Sequence, residues 1–149
     1  MKIGDVCNRE VVFVNREVTV QAACKLMRHY HVGSLVVVDE VNGKRVPLGI
    51  VTDRDIVVEI NAMDLDGKVI TAGDIMSPEL VTAQESLGPQ EAIELMRFKG
   101  VRRLPIVDEE GRLVGIVTID DLLAVLADAL FGISQVVSRE QLHEGRARK

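Results

Sequence analysis

The chain is written twice. Gly49-Ile50-Val51-Thr52-Asp53-Arg54-Asp55-Ile56 returns as Gly115-Ile116-Val117-Thr118-Ile119-Asp120-Asp121-Leu122. Shifted by 69 residues, 4–40 and 73–109 share 14 identities in 37 positions, and many remaining pairs are both apolar. The offset then falls to 66, because Val41 to Pro47 is longer than Glu110 to Leu113. A length change confined to a Gly-containing turn is what a surface hairpin loop tolerates. Solenoids need three or more repeats to bury a core, so two copies of about 60 residues predict a pseudo-symmetric pair.

Within the first copy, Val20, Ala23, Cys24, Met27 and Tyr30 recur at helical spacing, with Thr19 placed to cap the helix. Leu35 to Val38 is short, β-branched and followed by a turn, so it reads as a buried strand, with Leu48 to Val51 returning. Asp55 to Ile60 opens a second helix. The other copy repeats this order: Pro89 in the first turn of a helix, strands over Leu104 to Val107 and Leu113 to Val117, then an apolar helix over Leu122 to Phe131 that Gly132 is expected to stop. Apolar residues cover more than one face of that last helix, so part of it is expected to pack against another subunit. The organisation predicted is a first unit over 1–62, a linker over 63–72, a second unit over 73–131 and a polar, partly helical tail over 132–149. The basic end of that tail, Arg146 to Lys149, reads as solvated, with a phosphate or partner contact as the sharper alternative.

At 149 residues the chain can bury one good core or two small ones packed together. With 3% aromatics and no tryptophan, that core must be aliphatic. A net charge of −5 argues against a broad nucleic-acid footprint, though not against a local basic pocket. Cys7 and Cys24 lack metal-ligand spacing and read as reduced core thiols. The repeat starts at the N-terminus, leaving no room for a signal peptide, and the longest apolar run is far short of the ~20 residues of a membrane span. The expectation is a soluble, cytoplasmic protein.

The doubled motif sets a hydroxyl and a carboxylate together where a strand enters a helix. A ribose offers two adjacent hydroxyls, and one carboxylate accepts from both, a task for which Asp55 and Asp121 are placed. Thr52 and Thr118 can donate to a phosphate oxygen beside helix-terminal N–H groups. The plainer alternative makes each threonine a helix cap and each aspartate a favourable first-turn charge.

Tandem order, the repeated Gly-Ile-Val-Thr-x-x-Asp, Met76-Ser77-Pro78 and Leu104-Pro105-Ile106-Val107-Asp108 together resemble a CBS-domain pair, or Bateman module, over roughly residues 3–130. That resemblance implies an α+β fold of two β-α-β-β-α units related by a pseudo-twofold axis, their sheets packed together with two clefts between them. It implies an adenosine-containing ligand (AMP, ADP, ATP, NAD or S-adenosylmethionine), a regulatory role, and assembly as a homodimer. By the same resemblance the adenine walls fall at Val6, Val11 and Val32 in one copy and at Ile75, Leu80 and Val101 in the other. The family's phosphate-reaching basic position holds Arg102-Arg103 before Leu104-Pro105, but Gly33-Ser34 in the first copy. Two residues after the threonine, another such position holds Arg54 and Asp120. Carried over, Arg102 and Arg54 would serve the Thr118/Asp121 site, whereas the Thr52/Asp55 site would borrow Arg103 and face Asp120. The second site is thus expected to bind more strongly.

No Ser/His/Asp, Cys/His or paired-carboxylate constellation can be assembled from repeat-related clefts, so the chain is not expected to be an enzyme or to carry a catalytic cofactor. His29 and His31 lack an acidic or cysteine cluster, so no metal site is expected. The reading is a regulatory nucleotide sensor acting on an unknown partner in trans. Its alternatives are a dimerisation module without a ligand, and a single-stranded nucleic-acid binder disfavoured by charge and by the shortage of stacking aromatics.

Overall fold

The computed structural model describes residues 1–148; Lys149, part of the basic end noted above, lies outside the described residues. The first unit runs α1 (Ile3–Val6), β1 (Phe13–Val14), α2 (Val20–Tyr30), β2 (Ser34–Val41), β3 (Lys44–Thr52) and α3 (Asp53–Asp55), which continues as a π-helical turn over Ile56–Asn61. The second runs α4 (Ala72–Ile75), β4 (Ala83–Gln84), α5 (Pro89–Lys99), β5 (Arg103–Val107), β6 (Leu113–Thr118) and α6 (Ile119–Ala147). Each unit holds a three-stranded sheet, ordered β1-β2-β3 or β4-β5-β6. The first pair in each is parallel and the second antiparallel. Even the β-bulge repeats, at Val37/Val38 and Ile106/Val107. The α+β pair of units is thus the architecture expected.

Local chemistry sets the ends of the elements. Thr19 Oγ1 accepts from Ala22 N at 3.2 Å to start α2, and Pro89 occupies the first turn of α5. Asn42 and Gly43, both at positive φ, close the β2–β3 hairpin as its right-handed twist requires. Both α2 and α5 end on a left-handed residue, Gly100 at φ 66° but His31 at φ 54°. A side chain with a Cβ is strained there, and glycine is not. His31→Gly is therefore expected to stabilise the fold by about 0.5–1 kcal/mol once the greater freedom of glycine in the unfolded chain is subtracted. Urea denaturation of the two proteins measures the difference.

The cores are exchanged. Ile3, fully buried, packs not with its own unit but with Ala83, Ala92, Met96, Leu104, Ile106, Val117 and Leu122. Its counterpart Ala72 packs with Val14, Ala23, Met27, Leu35, Val37 and Val51 of the first unit. Backbone bonds repeat the exchange: Ile3 N and Gly4 N donate to Leu87 O and Glu85 O at 2.7 and 3.0 Å, as Ala72 N and Gly73 N donate to Val18 O and Arg16 O at 2.7 and 3.0 Å. Each core is thus built from its own unit's residues plus one from the other unit's leading helix, and Ala72, at the end of the expected linker, is core. Each leading helix clips the two units together.

The C-terminus corrects two expectations. Gly132 does not stop the last helix; α6 runs unbroken through Ala147, because nothing after Gly132 offers the chain a competing turn. At 29 residues it is also long and apolar enough, by length and composition, to cross a membrane. Reading contiguous apolar runs missed this, since Asp128, Ser134 and Gln135 interrupt them.

Candidate functional site

Two clefts lie between the units, and the exchanged packing builds both. Asn8 N donates to Ile116 O at 2.8 Å, and its counterpart Ser77 N donates to Ile50 O at 3.1 Å. These contacts press each leading segment against the opposite unit's motif strand. One cleft, of about 420 Å³, is lined by Ile50, Thr52, Asp53, Arg54, Asp55, Ser77, Val101, Arg102 and Arg103. The other, of about 200 Å³, is lined by Asn8, Glu10, Val11, Val12, Val32, Gly33, Ser34, Arg103, Ile116, Thr118 and Asp121. It continues into a groove of about 530 Å³ reaching Phe13, Leu26 and Tyr30. Drug-sized ligands occupy clefts of roughly 300–1,000 Å³.

At the head of each motif helix a reciprocal cap holds the chemistry in place. Asp55 Oδ2 accepts from Thr52 N at 2.9 Å while Thr52 Oγ1 accepts from Asp55 N at 3.1 Å. Asp121 Oδ2 accepts from Thr118 N at 2.8 Å, and Thr118 Oγ1 donates to it at 3.0 Å. The capping alternative is therefore real: these pairs start their helices as well as facing the clefts. The two roles are compatible, because among the described residues the cap engages only one oxygen of each carboxylate. Both aspartates stay half-buried at the cleft wall, with the second oxygen free to accept from a ligand.

The structure reverses the expected pairing of arginines with clefts. Arg54, Arg102 and Arg103 all line the Thr52/Asp55 cleft. The Thr118/Asp121 cleft has Arg103 alone, together with the acidic Glu10. The reason is geometric: each motif faces the α2–β2 or α5–β5 junction of the opposite unit, so Thr52 meets Val101-Arg102-Arg103 and Thr118 meets Val32-Gly33-Ser34. Arg103, at the head of β5, is the one arginine that reaches both. Asp120 lines neither cleft and stands exposed on the outer side of α6. Among the described residues, the ion pairs join Arg9 to Glu85, Arg16 to Asp39, Lys44 to Glu110, and Arg112 to Asp108 and Glu110. None engages the three cleft arginines.

Of the expected adenine walls, Val11, Val32 and Val101 line clefts. Val6, Ile75 and Leu80 do not. Val6 belongs to the docked helix α1, and Ile75 packs on the first unit's core. Leu104 and Pro105 are fully buried inside β5, so they support the arginines from behind rather than touching a ligand. Sequence reasoning missed Ile50 with Ile116 and Asn8 with Ser77. Both are repeat-related pairs, and the isoleucines stand inside the doubled motif itself. Cys7 is half-buried, and burial raises its thiol above the ordinary value, so it stays protonated and inert at neutral pH. The largest groove, about 560 Å³ around Arg9, Glu85, Asp108 and Arg112, has those charges paired with one another. Among the described residues no cluster of His, Cys, Asp or Glu could hold a metal.

Known proteins agree with this architecture. The CBS domain family model matches residues 3–62 and 72–128. An uncharacterized protein of Methanopyrus kandleri is 41% identical over 126 residues, 84% of this chain and 62% of that protein. Inosine-5'-monophosphate dehydrogenase of Methanocaldococcus jannaschii is 37% identical over 122 residues, 82% of this chain but 23% of the enzyme. This chain thus spans less than two thirds of either relative. The crystal structure of Hypoxic Response Protein I, which has two coordinated zinc ions, superposes with a TM-score of 0.72 at 32% identity, covering 83% of this chain and 98% of that one. With two matched copies filling most of its length, the chain belongs to the CBS-domain family, whose members are typically regulatory, ligand-binding modules.

Proposed function

We propose that this protein is a nucleotide sensor that binds an adenine nucleotide between its two units and, as a homodimer, controls a partner protein in trans. The observation that carries the reading is the 420 Å³ cleft, where three arginines that make no ion pair among the described residues surround a capped Thr52/Asp55 pair. Asp55 accepts from the ribose hydroxyls, Thr52 and the helix-terminal N–H groups meet a phosphate, and the arginines neutralise the rest. Ile50 and Val101 give the base an apolar wall. Because the ligand touches both units, it favours whichever interdomain geometry closes the arginines around it, and a partner reads that geometry.

Calorimetric titration with AMP, ADP, ATP and NAD tests this directly, and sub-millimolar binding of at least one is expected. Asp55→Asn keeps an oxygen to accept from Thr52 N, so the cap survives while the charge is lost. It is expected to weaken binding about ten- to a hundredfold, the size of one or two charge-assisted hydrogen bonds, with little change in melting temperature. If no nucleotide binds and none raises the melting temperature, the clefts have only a structural role. The chain is then a dimerisation module.

A further inference from the structure

Among the described residues, Arg103 alone lines both clefts. It is paired in register with Thr118 at the head of β5, as Ser34 is paired with Thr52 at the head of β2. Ser34 lines the opposite unit's Thr118/Asp121 cleft and not the cleft of its own Thr52. Arg103 likewise lines the opposite unit's Thr52/Asp55 cleft, but its longer side chain also reaches the cleft of its own Thr118. The backbone beside it is held, because Ile119 N donates to Arg102 O at 2.9 Å and ties the head of β5 to the start of α6. Only the side chain is left to choose between the clefts, and no ion pair among the described residues restrains it.

The two clefts do not depend on Arg103 equally. Without it the Thr52/Asp55 cleft keeps Arg54 and Arg102. The Thr118/Asp121 cleft then keeps no basic lining residue, and Glu10 and Asp121 face any phosphate placed there. We propose, resting on the nucleotide reading, that Arg103 makes the two clefts compete for phosphate. A polyphosphate nucleotide in the Thr52/Asp55 cleft draws the guanidinium toward itself and disfavours a second one in the Thr118/Asp121 cleft. A guanidinium that bridges both phosphates instead holds two anions close together, and their repulsion acts in the same direction. Linkage makes the penalty reciprocal between the sites. A nucleoside carries no phosphate and does not compete for Arg103. The second cleft of the ATP-loaded protein therefore rejects another ATP but keeps its affinity for an uncharged nucleoside.

Isotope-labelled isoleucine methyl groups report the clefts separately by NMR, because Ile50 lines only the first and Ile116 only the second. ATP titration compares the native chain with D55N/R102Q, which disables the first cleft through two residues that do not line the second. Asp55→Asn keeps the cap of the motif helix and Arg102 is exposed, so the variant is expected to fold, as the methyl spectrum checks. Damaging one cleft should improve the other: the ATP concentration at the Ile116 midpoint is expected to fall about tenfold, within the roughly 5–150-fold range of couplings between sites. With adenosine the two proteins should agree at Ile116 within about twofold, and so should they with ATP once Arg103→Gln is added to both. An Ile116 midpoint for ATP that is unchanged or higher in D55N/R102Q overturns the competition and leaves nucleotide binding standing. So does an Ile116 that responds in neither protein while Ile50 does. A fall that survives Arg103→Gln, or that adenosine reproduces, also overturns it and assigns the coupling to movement of the units. If neither methyl responds to ATP in either protein, the nucleotide reading itself fails, and the competition with it.

Discussion

Replacing Arg102 and Arg103 together with glutamine is expected to lower ATP affinity about a hundredfold or more, while AMP loses much less. A charge-assisted hydrogen bond to a phosphate contributes about 1.5–3 kcal/mol, so two guanidiniums removed from one cleft sum to roughly 3–6 kcal/mol. Arg102 is exposed and Arg103 half-buried, so screening by water and salt favours the lower end of that range. The hundredfold figure corresponds to about 2.8 kcal/mol. Glutamine keeps the hydrogen-bonding head without the charge, which separates loss of charge from loss of packing on Val101. The converse change supplies a second arm. Ser34 occupies at the Thr118/Asp121 cleft the place that Arg103 takes at the other, so Ser34→Arg should raise ATP affinity there. Calorimetry on both variants decides the matter, and native-like ATP binding by R102Q/R103Q would remove the arginines from the account.

How much of this could be read from the sequence depends on what the repeat constrains. The duplicated order of elements fixed the fold class, because apolar periodicity and turn residues act over a few neighbours and recur in both copies. Thr52, Asp55, Thr118 and Asp121 were legible for the same reason: a cap involves residues three apart. What the repeat does not carry is which copy of one segment meets which copy of another. Arg102 is adjacent in sequence to the second unit's strand but opens toward the first unit's motif, and the choice depends on where α1 and α4 dock. Ile3 and Ala72 settle that choice by packing into the opposite cores. They are one isoleucine and one alanine, and nothing in their composition signals the exchange. The length of α6 was hidden differently, by a glycine of the kind that ends α5 at Gly100 but stays helical here.

The exchange of leading helices makes two repeat-related glycines unequal, and this yields the largest expected effect on stability. Gly115→Ala is expected to destabilise the fold by about 3 kcal/mol, at the upper end of the cost of overpacking. Gly49→Ala should cost less, about 1–2 kcal/mol, since its contact with Met76 is only partly relieved and the smaller freedom of alanine in the unfolded chain offsets part of the remainder. A Cβ on Gly115 would lie 2.5 Å from Cys7 Sγ and 3.1 Å from the carbonyl oxygen of Asn8. That carbonyl cannot retreat cheaply, because it accepts from Ile116 N at 3.0 Å and so ties the leading segment to β6. At Gly49 the nearest atoms are Met76 Sδ at 2.9 Å and Cγ and Cβ at 3.0 Å; side-chain rotation can move the sulfur and Cγ, while Cβ yields only with the backbone, so the contact is partly relieved. Cys7→Ala in the Gly115→Ala background should recover part of the loss and not all, since the Asn8 contact remains. Urea denaturation compares the four proteins. Equal destabilisation by the two glycine substitutions would show that the leading segments yield alike, and that the backbone bond at Asn8 does not hold the Thr118/Asp121 cleft in shape. A larger loss at Gly115 would instead be accompanied by weakened ligand binding there, because Asn8, Glu10 and Val11, all displaced together, form one wall of that cleft.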